Sequence, residues 1–231
     1  MSLNHEIKAL LKQKGCNIVG FADLRSISKE ARQNFNCGIV IALPYTKAAM
    51  QEHKNGTPQR YYAELKDINN RLQDLAIQTA RFLTKKGYKA LAKGISTVVS
   101  DEDFRSALPH KTVATLAGMG WIGKNAALIT GEAGSALRII VVLTNAPLEC
   151  GTPVTKSMCP PNCTVCISIC PGQAPKEGLW ESSVDRDTFY DAHACFAAAR
   201  IFAKEKLNIE ETVCGCCISH CPFTMKGLGY K

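Results

Sequence analysis

The chain has 231 residues, 46% of them apolar and 21% charged, with a formal net charge of +8 at pH 7. This mixture excludes disordered and collagen-like chains, and no apolar run approaches the roughly 20 residues that a membrane-spanning helix requires. Twelve cysteines exceed what packing needs, and only Cys16 and Cys37 fall within the first 149 residues.

The opening residues carry no basic leader followed by an apolar stretch, so the expected compartment is the cytoplasm. Thiols kept reduced there serve as metal ligands or catalysts more often than as disulfides.

The first half of the chain reads as alternating helix and strand. His5–Lys14 sets Ile7, Leu10 and Leu11 at helical spacing and stops at Gly15. Cys37–Leu43 is a short apolar run closed by Pro44, the signature of a buried strand. Gln59–Lys86 is the longest helical pattern. Its apolar face carries Leu65, Ile68, Leu72, Leu75, Ala76 and Leu83, with Thr79 as an interruption and Gly87 as the stop. Tyr88–Ala92, Ala126–Thr130 and Ala136–Thr144 read as strands. Composition shifts to Pro, Gly and Thr over Asn145–Pro161. This predicts an α/β domain with a mixed sheet over residues 1–150 and a small α+β domain over 151–231. Apolar content is thin in the second, so a metal centre is expected to replace part of its core. One helix, about Asp187–Lys206, is expected to link its two cysteine groups.

Cys163-Thr-Val-Cys166-Ile-Ser-Ile-Cys170-Pro171 matches the C-x2-C-x3-C-P ending of the bacterial ferredoxin run, and Cys214, Cys217 and Cys221-Pro222 repeat it. Close thiolates let one loop wrap three corners of a cubane, while the cysteine before proline turns to the other cluster. Two [4Fe–4S] clusters need eight thiolates. Cys159 is the natural seventh, across an enlarged loop of Pro160, Pro161 and Asn162, and Cys195 the eighth. The assignment is Cys159, Cys163, Cys166 and Cys221 for one cluster, and Cys170, Cys195, Cys214 and Cys217 for the other. Cys16, Cys37, Cys150 and Cys216 are left over. Structural zinc is the alternative, since C-x2-C pairs also build zinc sites. Two clusters would lower the net charge by about 4, which weakens the case for nucleic acid.

Gly118-Met-Gly120-Trp-Ile-Gly123-Lys124 fits G-x-G-x-x-G. A dinucleotide fingerprint must follow a strand and open a helix. Here a helix-like stretch, Lys111–Ala117, precedes it and a strand-like one follows. It therefore reads as a glycine-permitted turn, or as a bare loop that a flat cofactor approaches.

His110-Lys111-Thr112, the segment Ala117-Gly118-Met119-Gly120-Trp121-Ile122-Gly123-Lys124-Asn125, Tyr62 with its helix, and the block Cys159–Pro222 together resemble the epoxyqueuosine reductase family. The resemblance implies an N-terminal corrinoid-binding α/β domain, distantly similar to reductive dehalogenases, on a two-cluster ferredoxin-like domain. It implies that electrons pass through the clusters to cobalamin, which reduces the substrate. Gly118, Gly120, Trp121, Gly123, Lys124 and Asn125 would line the cofactor face. The family's general acid is an Asp upstream of this segment. Asp101 and Asp103 are the candidates, although Asp-Glu-Asp-Phe-Arg does not reproduce the family pattern and a solvated turn is the competing reading. The chain ends ten residues after Cys221, short of the helical repeats with which full-length members hold tRNA. A tRNA partner is thus in doubt.

The leading expectation is a corrinoid-dependent iron–sulfur reductase served by a flavodoxin- or ferredoxin-type donor, with neither DNA nor a membrane as partner. The alternatives are a non-catalytic electron carrier with a docking domain, and a zinc-stapled RNA-binding module.

Overall fold

The structure, a computed structural model, describes residues 1–94 and 102–229. They divide into two compact units, each assembled from three stretches of chain. The first comprises Met1–Leu43, Asp67–Met119 and Arg138–Val154; the second comprises Pro44–Lys66, Gly120–Leu137 and Thr155–Lys231.

The first unit is built on a four-stranded sheet in the order β1-β2-β6-β3. β1 (Ile18–Asp23) and β2 (Cys37–Pro44) pair antiparallel, with Ile18 opposite Ala42 and Asp23 opposite Cys37. β3 (Ala90–Lys93) and β6 (Leu137–Thr144) also pair antiparallel. Ile39, Val40, Ile41 and Ala42 in β2, and Ile140 through Leu143 in β6, are all 0% exposed. Strands covered on both faces lose the apolar–polar alternation, which is why these two read as continuous apolar runs. No sequence signal marked β1.

α1 (Leu3–Gln13) starts at Ser2, whose side chain accepts the His5 N–H, and buries Ile7 and Leu11. The long helix α3 (Gln59–Lys85) belongs to the second unit up to Lys66 and to the first beyond it. In the first unit Ile68, Leu72, Leu75, Ala76 and Leu83 are buried, as the spacing predicts. Thr79 is buried too, and its hydroxyl donates to the Leu75 carbonyl at 2.7 Å, so the interruption is absorbed within the helix. Leu65 is only half-buried. α4 (His110–Leu116) packs against β1.

The second unit contains α2 (Lys47–Lys54), which no sequence signal marked, and a two-stranded ribbon of β4 (Trp121–Ile122) and β5 (Leu128–Ile129). Five further helices follow: α5 (Val165–Ser168), α6 (Arg186–Phe189), α7 (Ala192–Leu207), α8 (Cys216–Ser219) and α9 (Pro222–Gly227). The single helix expected over Asp187–Lys206 is two. Tyr190 is extended, and the Asp191 carboxylate caps α7 by accepting the Ala194 N–H at 2.9 Å. Beyond residue 154 the buried apolar side chains are few: Ala174, Phe189, Ala199, Ala203, Val213 and Cys221.

The last crossing between the two units is at Val154–Thr155. The insertion of Pro44–Lys66 and Gly120–Leu137 into the cysteine-rich unit has no counterpart in composition. No helix among the described residues is long and apolar enough to cross a membrane.

Candidate metal centre

Each cysteine run wraps one short helix. Cys163 precedes α5, Cys166 lies in it and Cys170 follows; Cys214 precedes α8, Cys217 lies in it and Cys221 follows. α5 and α8 are in contact, and α9 starts at Cys221 with Pro222 in its first turn, where a missing N–H costs nothing. Cys159, Cys163, Cys166 and Cys221 line one cavity, together with Lys124, Asn125, Ile129, Pro222 and Phe223. About 330 Å³ of empty space lies within it, part of that open to solvent. These four are one of the two expected ligand sets.

In the second set, Cys217 lies near the other three and also near Cys166 of the first set. Burial raises the Cys217 thiol, and the neighbouring Cys214, Cys195 and Cys170 raise it further. Burial likewise raises the Tyr190 phenol, with Cys195, Cys217 and Cys170 around it. Cys216 stands beside this set, hydrogen-bonded to Cys214; that bond lowers the Cys216 thiol and raises Cys214. In the first set, burial and then Cys159, Cys221 and Cys163 push Cys166 up to about 11. Thiols that ionise reluctantly when crowded together become favourable ligands once a metal core supplies the opposing charge.

Zinc holds each thiolate about 2.3 Å away and draws four together around one point. Among the described residues, no group of three or more His, Cys, Asp or Glu side chains is drawn together to hold one metal ion. A cuboidal core is a larger body and keeps its thiolates farther apart.

The loop at Lys124 serves this cavity. Lys124 is 2% exposed, and its ammonium donates to the Pro161 carbonyl at 2.7 Å and the Cys163 carbonyl at 2.9 Å. It thereby ties down the enlarged loop between Cys159 and Cys163. Asn125 is 5% exposed; its side-chain oxygen accepts the Ala127 N–H at 3.2 Å, and its amide nitrogen is buried without a hydrogen-bond partner. Trp121 packs edge-on against Phe223 with ring centroids 5.0 Å apart, and its indole N–H is also buried unpartnered.

The glycines of this segment answer to the chain's own backbone. Gly118 has φ +72°, and a Cβ there would stand 2.6 Å from the Thr152 carbonyl oxygen; at Gly120 it would strike the Ile129 carbonyl. α4 before the motif, β4 within it and β5 after it are the opposite of a dinucleotide site, as expected. Asp103 is exposed in a turn, whereas Asp101 lies outside the described residues.

Sequence reading missed the residues behind the second set. His53 on α2 is 3% exposed, with Nδ1 3.0 Å from the Ser219 hydroxyl and Nε2 2.7 Å from the Cys214 carbonyl. A carbonyl only accepts, so Nε2 carries the proton; Nδ1 is then an acceptor, and it shares the Ser219 hydroxyl with the Cys216 carbonyl, 3.2 Å from that hydroxyl. Burial lowers the His53 pKa, which favours this neutral ring. Tyr61 meets His53 edge-on at 4.8 Å and stacks on Tyr45 at 4.7 Å. No spacing rule points to His53, because it lies 161 residues from its carbonyl partner.

No protein-family model matches the chain. Among curated relatives, an epoxyqueuosine reductase of Synechocystis sp. is 30% identical over 160 residues, 63% of this chain and 51% of that protein. One of Atelocyanobacterium thalassa is 28% identical over 202 residues, 81% of this chain and 58% of that protein. The chain thus spans about half the length of these relatives. Among solved structures, an epoxyqueuosine reductase crystallised with an epoxyqueuosine-modified tRNA-Tyr stem loop superposes with a TM-score of 0.61 at 19% identity, covering 99% of this chain and 67% of that one. A reductive dehalogenase whose structure suggests a mechanism for B12-dependent dehalogenation gives 0.68 at 18% identity, covering 94% and 31%. In sequence this chain is similar to the epoxyqueuosine reductases, and in fold it is similar both to them and to reductive dehalogenases.

Proposed function

We propose that the chain is an iron–sulfur oxidoreductase. Cys159, Cys163, Cys166 and Cys221 hold one [4Fe–4S] cluster, and Cys170, Cys195, Cys214 and Cys217 hold the other, within a ferredoxin-like second domain. Bound there, the clusters supply one-electron transfer to an acceptor. The chain's own part is to present eight thiolates from two distant stretches, to exclude water by burial, and to anchor the loops with Lys124 and His53.

The observation that carries this reading is the convergence of Cys221 with Cys159, Cys163 and Cys166 on one cavity across more than fifty residues of chain. Reciprocal exchange of the last cysteine between two runs is what paired clusters require, and zinc sites have no use for it.

The likeness to epoxyqueuosine reductases and to a B12-dependent dehalogenase extends the proposal to a corrinoid acceptor in the α/β domain, a reducible substrate related to modified tRNA, and a flavodoxin- or ferredoxin-type donor. Of the six residues expected on the corrinoid face, Lys124 and Asn125 line the cysteine cavity, and Gly118 and Gly120 are accounted for by close backbone contacts. The corrinoid therefore rests on likeness, not on those four residues. That observation favours the second reading, a non-catalytic electron carrier.

Iron, sulfide, zinc and cobalt are to be counted per chain after anaerobic purification and reconstitution with corrinoid. About eight irons are expected, falling to about four in Cys217→Ser and staying near eight in Cys37→Ser. Retained cobalt selects the reductase, and its absence the carrier. Zinc without sulfide overturns both.

A further inference from the structure

The cavity bounded by the first four thiols holds two buried polar groups whose needs the protein itself does not meet. The Asn125 amide nitrogen has no acceptor, although its partner oxygen is used. Burying an N–H donor without a partner costs its full desolvation, so such a group in a native site points to an acceptor supplied from outside the chain. Lys124 is more exposed to the same argument. Its ammonium touches two neutral carbonyls, and no carboxylate among the described residues forms an ion pair with it. A buried cation without a counter-charge is costly. Both residues line the cavity on which Cys159, Cys163, Cys166 and Cys221 converge.

A single occupant meets both needs. A cuboidal core held by four thiolates carries a net negative charge of about 2, and its sulfurs accept N–H donors. We propose that Lys124 and Asn125 are positioning residues for the cluster held by Cys159, Cys163, Cys166 and Cys221. Asn125 donates its free N–H to a sulfur of that cluster, and Lys124 supplies the counter-charge while pinning the Cys159–Cys163 loop. This rests on the two-cluster reading and replaces the corrinoid contact expected for both residues. The direction of the effect is set by charge. An N–H donor and a cation stabilise the reduced, more negative state, so together they raise the reduction potential of this cluster and leave the other unchanged.

The experiment is a redox titration of the full-length reconstituted protein followed by electron paramagnetic resonance, with iron counted in every sample. Lys124→Gln keeps a donor but removes the charge, and Asn125→Leu keeps the branched shape and removes the donor, together with the oxygen that accepts the Ala127 N–H. Each is expected to retain about eight irons and to shift the reduction equilibrium of one cluster about tenfold toward the oxidised form, 59 mV for one electron. Lys124→Arg is expected to restore the potential. Full iron content with both potentials unmoved overturns the proposal, whereas wild-type protein that takes up no iron and sulfide overturns the two-cluster reading instead. If a variant loses its cluster, wild-type protein with ¹⁵N-labelled asparagine decides. A ¹⁵N hyperfine coupling at one reduced cluster, replaced by a ¹⁴N pattern in unlabelled protein, supports the bond, and no coupling overturns it.

Discussion

The two compact units solve the problem of an interior in opposite ways. In the first, two central strands and one face of α3 bury branched aliphatic side chains to near-zero exposure. In the second unit, the stretch after residue 154 buries little apolar surface; four of its thiols line one cavity with Lys124 and Asn125, and His53 stands behind Cys214. Burial of apolar area stabilises the first without help. The second assembles groups that repel one another or lack partners, and under the proposed reading it depends on what those groups bind. A folded interior can thus be completed by chemistry as well as by packing.

The sharpest way to break this contrast is to remove the metal. Chelating iron from reconstituted protein is expected to abolish amide-exchange protection across 159–221 while β2 and β6 keep theirs. Equal loss in both units would show that the first does not stand on its own core. A smaller effect runs the other way. Leu72→Ala, at a fully buried site in the first unit, is expected to cost about 2–5 kcal/mol in denaturant unfolding and to leave iron content unchanged. A drop in iron would tie the cluster sites to the aliphatic core.

The third effect is acid-linked. The His110 ring donates to the Ile139 carbonyl while its Nε2 is buried unpartnered, and burial lowers its pKa to about 4 from 6.5. The unfolded chain then takes up a proton that the folded one refuses. Stability is complete above pH 6.5 and falls as pH drops toward 4, by at most about 3 kcal/mol. His110→Gln should flatten this part of the stability–pH curve, measured on metal-free protein so that cluster loss does not contribute. An unchanged slope would assign the acid sensitivity to other groups.

Much of this was legible beforehand, for reasons that differ by element. β2, β6 and α3 announced themselves because burial on one or both faces imposes a pattern that local residue order records. The cysteine runs did so because their C-x2-C-x3-C-P spacing is the one by which a single loop wraps a cubane. β1, α2 and the break at Tyr190–Asp191 were not visible. Ile18–Asp23 carries Gly20 and Asp23 and lacks an uninterrupted apolar run, Lys47–Lys54 is largely polar, and a single capping aspartate outweighed a continuous helical pattern. Lys124 and Asn125 were singled out from sequence, but the cavity that they face was not.

By itself, the order of residues determined where the apolar core lies and marked out two cysteine runs, since both follow from constraints acting over a few residues. Tertiary structure alone decided that Pro44–Lys66 and Gly120–Leu137 join the cysteine-rich unit, bringing His53 to Cys214 and Lys124 to Cys163. Those contacts bridge long separations, and hydrogen bonds between polar groups far apart in the chain leave no periodic trace.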